Sequence, residues 1–137
     1  MRKLGIDPGL KRVGIALSDE ESEYASPLTT LSHVDDASTT LAIAELAKTH
    51  AVDAIVVGLP LRMNGLEGPE ARKARRFARD LKTATNLTIV LWDERMTTMA
   101  AERELRSSGL RGMKKRSQID QAAATLLLQS YLDANRR

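Results

Sequence analysis

Three acidic motifs in the chain have residue types that bind divalent cations. They are Asp7 in Ile6-Asp7-Pro8-Gly9, the acids of Asp93-Glu94-Arg95, and Asp120 in Ser117-Gln118-Ile119-Asp120. Magnesium and manganese take oxygen ligands and keep several waters, so a few carboxylates from separate elements suffice to hold them. Two such ions about 3.5–4 Å apart can activate a water and stabilise the leaving oxygen of a phosphodiester. Each motif also has a purely structural use. Asp7-Pro8-Gly9 is turn chemistry. Asp93-Glu94-Arg95 suits a charged loop with local pairing. Ser117 to Asp120 resembles a helix-start cap.

Charge along the chain is segregated. The whole carries +3, with 21 Lys and Arg against 18 Asp and Glu. Residues 18–53 hold eight acids and one base, giving −7; residues 62–82 hold seven bases and three acids, giving +4; residues 103–116 hold six bases and one acid, giving +5. Arg72, Lys73, Arg75, Arg76 and Arg79 form the outer face of an expected helix, and Arg111, Lys114, Lys115 and Arg116 an expected basic loop. A polyanion would meet these segments first, although solvated helix faces have the same composition.

Composition excludes other chemistries. With no Cys there is no disulfide framework, thiolate zinc site or thiol nucleophile. Four aromatics, Tyr24, Phe77, Trp92 and Tyr131, are too few for a strand binder that stacks base after base. No Walker-type phosphate loop is present. His33 and His50 lie far apart and away from the acidic motifs, so a Ser-His-Asp triad has no support and both are expected at the surface. No apolar run nears the ~18 residues of a membrane span, and no signal peptide is recognisable, which predicts a soluble intracellular protein.

Hydrophobic periodicity supplies the elements that must position the acids. Lys3–Asp7 and Arg12–Ser18 alternate as a hairpin, with a third strand near Leu28–Leu31. Residues 38–50 have a helical pattern, and Ala54–Gly58 reads as a strand buried on both faces. Leu59–Pro69 is a loop, and Pro69 opens a helix through Ala71, Ala74, Phe77, Ala78 and Leu81. Asn86–Trp92 is another buried-type strand. A helix from Thr97 or Thr98 to Gly109, a loop over 110–116 and a last helix over 117–133 follow. Asp120 shares a face of that last helix with Ala124, Leu127 and Tyr131. This order predicts one α/β domain over residues 1–137 with a mixed sheet. In such sheets function gathers beyond the carboxyl ends of the parallel strands, where Asp7 and Asp93-Glu94-Arg95 fall. Gly9 and Gly14 have no side chains to crowd Asp7, which leaves room there for a metal or a phosphate.

Four sequence blocks, in order over essentially the whole chain, resemble the YqgF family, also called RuvX. They are Leu4–Gly9 with Lys11–Gly14 and Ser18-Asp19; Val56–Leu61 with Met63–Gly65 and Glu67-Gly68; Asp93–Thr98 with Ala101-Glu102; and Lys114-Lys115 with Ile119–Ala123 and Leu128–Asp133. The resemblance implies a ribonuclease H-like fold, with a five-stranded mixed sheet of order 3-2-1-4-5 flanked by helices. It implies a bacterial cytoplasmic nuclease that trims the 5′ end of precursor 16S ribosomal RNA, with a role on branched DNA junctions as the alternative. A non-catalytic nucleic-acid-binding factor in ribosome assembly is a further alternative.

Carried over by position, Asp7, Glu94 and Asp120 become the catalytic acids that bind Mg²⁺ or Mn²⁺, with Asp93 as a candidate fourth. Arg95 and Thr97 or Thr98 would orient carboxylates or the scissile phosphate, with both threonines as supporting candidates. Lys11, Arg12, Arg72, Arg76, Arg95, Lys114, Lys115 and Arg116 would contact the nucleic-acid backbone. Relative to the related RuvC group, the chain has Leu59-Pro60 and Ala123 where those resolvases carry acids. The expected partners are structured RNA, branched DNA and ribosome assembly intermediates, with no membrane contact, for a monomer or homodimer. Residues 96–110 are a candidate dimer surface.

Overall fold

A computed structural model describes residues 1–9, 11–93 and 112–136, and the side chains of 112–117 are outside that description. Five strands form one sheet: β1 (Arg2–Pro8), β2 (Arg12–Ser18), β3 (Ala25–Ser32), β4 (Val52–Leu59) and β5 (Thr88–Asp93). Their order is β3-β2-β1-β4-β5. The β1–β2 and β2–β3 pairs are antiparallel, whereas β4 runs parallel to both β1 and β5. The periodicity predicts such a mixed sheet, and the strand order is the one that the family resemblance implies.

Helices α1 (Asp36–Thr49) and α2 (Pro69–Thr85) cover one face of the sheet, and α3 (Gly112–Ala134) covers the other. Leu4, Ile6, Val13, Ile15, Ile55 and Val57 pack with Ile43, Phe77 and Leu81 on the α1–α2 side. Ala16 and Val56 pack with Ala124, Leu128 and Leu132 on the α3 side. Central strand β4 is therefore apolar on both faces, as its unbroken Ala54–Val57 run requires.

Local chemistry sets the element ends. Asp35 caps α1 by accepting the Ser38 backbone N–H at 2.7 Å. Pro69 stands at the first position of α2, where its missing N–H costs nothing, and Asn86 ends that helix in the left-handed conformation. Strand β3 is longer than Leu28–Leu31 because it pairs with β2 over its full length. Pro27 is tolerated because β3 is an edge strand, and the register shifts beside it.

Two expectations about the last helix are corrected. The backbone of residues 112–116 is helical and not a loop, because Met113-Lys114-Lys115-Arg116 are good helix formers with no breaker among them. The backbone of Ser117 consequently lies inside α3 and not at its start. The helix expected from Thr97 or Thr98 to Gly109, and the dimer surface expected over residues 96–110, lie outside the described residues. Among the described residues, no helix is long and apolar enough to cross a membrane.

Candidate active site

The site is built where α3 crosses the first two strands. Gly5 and Asp7 share the face of β1 turned towards α3, while Leu4 and Ile6 point to the opposite core. A Cβ on Gly5 would lie 2.7 Å from Leu128 Cβ and 3.1 Å from the Ala124 carbonyl oxygen, so α3 rests almost on the β1 backbone. Asp7, two residues on, stands on that face at the carboxyl end of the strand.

Across the ladder Asp7 pairs in register with Gly14. A Cβ on Gly14 would fall 1.9 Å from the Asp120 carbonyl oxygen. The space left by Gly14 is thus filled by the α3 main chain, which corrects the expectation of an open space for a ligand. The missing side chain brings Asp120 to the rim beside Asp7. Gly9 closes the turn: its Cβ would meet the Arg12 carbonyl oxygen at 2.4 Å.

Asp120 is not reached by water alone. Its Oδ2 accepts a hydrogen bond from Arg12 Nε at 2.7 Å, and both side chains are partly sheltered. Arg12 precedes Gly14 by two residues, so it lies on the same face of β2. Asp7, Arg12, Gly14 and Asp120, from three elements, therefore meet at one end of the sheet.

Asp93 is placed differently. It is in register with Leu59, and its alternation partner Leu91 packs into the α1–α2 core. The intervening Trp92 points to the other side, donating its indole N–H to Ser130 Oγ at 3.1 Å and meeting Tyr131 edge-on at 5.3 Å. The strand parity sets Asp93 on the face opposite Asp7 and Asp120. Glu94, Arg95, Thr97 and Thr98 lie outside the described residues.

The basic candidates fall into three groups. Lys11, Arg72 and Arg76 are exposed. Lys73 and Arg76 line a hollow of about 300 Å³ with Pro8, Gly9, Pro60 and Phe77, so the basic face of α2 reaches the rim at the β1 turn. Lys114, Lys115 and Arg116 lie in the first turns of α3, their side chains outside the described residues. Arg75, on α2, is spoken for: its Nε and one Nη each donate to the Glu67 carboxylate at 2.7 Å. This pair holds Glu67 below the usual carboxylate range and raises Arg75.

His33 departs from its expected surface position. It is half-buried, its Nδ1 lies 2.8 Å from Thr39 Oγ1, its Nε2 lies 3.0 Å from Asp36, and it lines the hollow beside Pro8 and Gly9. The signal in the sequence was the Asp35–Ser38 cap just after it, which folds the start of α1 back onto His33. His50 terminates α1, donating its N–H to the Leu46 carbonyl.

The donor chemistry suits a hard cation. Asp7 and Asp120 offer carboxylate oxygens, and a partly buried carboxylate such as Asp120 requires a neighbouring positive charge or donors, the place Arg12 takes. Among the described residues no group of three His, Cys, Asp or Glu gathers closely enough to hold a metal. Of the sequence-predicted acids, Asp7 and Asp120 are the two that the described residues bring to this end of the sheet.

Comparison with known proteins agrees with this architecture. A protein of Syntrophus aciditrophicus described as "Putative pre-16S rRNA nuclease" is 46% identical over 134 residues, covering 98% of this chain and 89% of its own. One with the same description from Chloroflexus aurantiacus is 43% identical over 133 residues, covering 97% and 87%. Among solved structures, Thermus thermophilus RuvC bound to a Holliday junction substrate superposes with a TM-score of 0.59 at 14% identity, covering 98% of this chain and 96% of its own. The fowlpox virus resolvase bound to Holliday junction DNA gives 0.61 at 13% identity, covering all of both chains. At such identities these two structures speak for the fold alone. The family model described as RuvX, Holliday junction resolvase, matches residues 1–134, and the chain belongs to that family.

Proposed function

We propose that the chain is a Mg²⁺- or Mn²⁺-dependent nuclease of the bacterial cytoplasm that acts in maturation of the 5′ end of precursor 16S ribosomal RNA. The observation that carries this reading is the placement of Asp7 and Asp120 on either side of Gly14, at the carboxyl end of a parallel strand. The descriptions of its sequence relatives supply the substrate.

Asp7 and Asp120 would hold the cation, with Glu94 as the third ligand. When bound, the ion supplies activation of the attacking water and neutralisation of charge at the scissile phosphate. Gly14 keeps the α3 backbone close enough for Asp120 to share the rim with Asp7. Arg12 balances the Asp120 charge. Lys11, Arg72 and Arg76, all exposed, track the backbone on either side, and Arg95, Lys114, Lys115 and Arg116 extend that basic surface. Thr97 and Thr98 orient the acids.

A second reading, cleavage of branched DNA, is favoured by the description of the family. Against it, Leu59-Pro60 ends β4 where the resolvase pattern carries an acid, and Ala123 is buried in α3 at the position of another. The two readings are separated by offering precursor 16S ribosomal RNA and a four-way DNA junction side by side with Mg²⁺ and with Mn²⁺. Cleavage of the RNA near its mature 5′ end with the junction intact supports the first reading. Paired symmetric nicks in the junction with the RNA intact support the second. Binding of RNA without cleavage under any cation condition replaces both with a non-catalytic assembly factor.

A further inference from the structure

The Arg12–Asp120 pair joins residues 108 apart in the chain at 2.7 Å, a close charge-assisted contact, and both partners are partly sheltered from water. Under the proposed function it creates a conflict. Asp120 is to ligate a doubly charged cation, yet a guanidinium already donates to its Oδ2. A carboxylate has lone pairs for more than one partner, but a guanidinium and a divalent ion on the same group repel each other. The Asp120 main chain lies directly against β2 at Gly14, so its carboxylate and the Arg12 guanidinium share one small space.

We infer that Arg12 is an exchangeable counter-ion: it neutralises Asp120 in the metal-free protein, yields the carboxylate to the cation, and then engages a substrate phosphate. This rests on the metal-dependent nuclease reading and goes beyond it, because it assigns Arg12 two successive partners and ties RNA affinity to metal occupancy. The chemistry of the side chain suits both. Arginine is always charged, and its planar fork matches carboxylate and phosphate oxygens alike. Its stem starts on the α3-facing side of β2, two residues from Gly14 and across the hairpin from Asp7, so a guanidinium freed from Asp120 remains at the rim. An arginine already satisfied by Asp120 has little to offer RNA, so the protein would hold its substrate tightly only when the cation is in place.

The test is Mn²⁺ binding, read from the electron paramagnetic resonance signal of the free ion, in wild type, Arg12→Gln, Asp120→Asn and the double variant. Lys3→Gln is the control for loss of a positive charge, since Lys3 lies on the same face of β1 but pairs with Asp53. Arg12→Gln is expected to bind Mn²⁺ roughly two- to fivefold more tightly, the range set by removing a partly exposed ion pair. The gain should be absent in Lys3→Gln and should vanish in the Asp120→Asn background. In RNA binding with Ca²⁺ as a non-catalysing cation, Arg12→Gln should bind more weakly than wild type, and with chelator the two should bind alike.

Unchanged or weaker Mn²⁺ binding by Arg12→Gln overturns the exchange, as does an equal gain in Lys3→Gln or one that survives Asp120→Asn. If Mn²⁺ binds wild type and Arg12→Gln alike while Asp120→Asn binds it more weakly, only the exchange fails. If it binds none of the proteins, the metal-dependent reading fails with it. Thermal melts by circular dichroism confirm that each variant is folded. Should Arg12→Gln not fold, Arg12→Lys replaces it; its shorter point charge loses the Nε contact and should give a smaller gain of the same sign.

Discussion

Asp120 presents its backbone carbonyl to Gly14, with the oxygen 1.9 Å from where a side-chain carbon on Gly14 would begin. The contact is backbone to backbone, so no rotamer change can make room. Gly14→Ala must push α3 from β2 or bend β2 away from Asp7. The overpacking should cost about 1–3 kcal/mol, read by urea denaturation, and it should weaken Mn²⁺ binding by moving Asp120 from the rim. A Gly14→Ala protein with wild-type stability and cation affinity would show that this close approach does not position the acid.

The alternation of β5 turns Asp93 away from the face that carries Asp7. Trp92 faces α3 and Asp93 the α2 side, so a third ligand from this segment should be Glu94 and not Asp93. Glu94→Gln is therefore expected to lose cleavage and to bind Mn²⁺ at least tenfold more weakly, whereas Asp93→Asn keeps both near wild type. Cleavage assays with Mn²⁺ titrations check this, and the reverse ranking would assign the ligand to Asp93.

How far the site was legible follows from which contacts are local. Alternation in Lys3–Asp7 and Arg12–Ser18 gave the hairpin and the face on which Asp7 stands, because a strand's period is a property of a few neighbouring residues. The unbroken apolar run of β4 gave its central position for the same reason. The Arg12–Asp120 pair was out of reach: it spans 108 residues and depends on how α3 crosses the sheet. The role of Gly14 was partly legible. A glycine beside Asp7 implied space, but only packing shows that the Asp120 backbone fills it. The start of α3 was misplaced because Ser117-x-x-Asp120 imitates a cap, while the preceding residues are equally content in a helix. The parity of Asp93 needed the observed register of β5 against β4.

Not all arginines of α2 are free to meet phosphate. Arg75 spends its Nε and one Nη on Glu67, while Arg72 and Arg76 are exposed. Arg72→Ala and Arg76→Ala should each weaken RNA binding for all sequences and lower the salt slope of log K by about 1 or less. Arg75→Ala should leave the slope nearly unchanged. Filter binding over a salt series measures this, and a slope change for Arg75→Ala equal to the others would mean that Glu67 releases it to the substrate.

The start of α1 should be one of the acid-sensitive places in the fold. Asp35 accepts the Ser38 backbone N–H and then its hydroxyl, which holds its carboxyl below the usual range in the folded protein. A group depressed on folding stabilises the fold above its unfolded pKa, about 3.9, and loses that contribution as the pH falls through the folded value. Asp35→Ala should therefore melt below wild type at pH 7, and the gap should close below about pH 4. A gap that is independent of pH would mean that the cap acts without its charge.

The most direct measurement is cleavage of precursor 16S ribosomal RNA by wild type and Asp7→Asn, purified in parallel, with Mn²⁺ and with chelator. Asp7 lies at the partly exposed end of β1, so the variant should fold and retain most of its RNA affinity. The account predicts that wild type cleaves near the mature 5′ end only with the cation, and that Asp7→Asn does not cleave. Equal cleavage by both proteins, or cleavage by wild type in chelator, would contradict it.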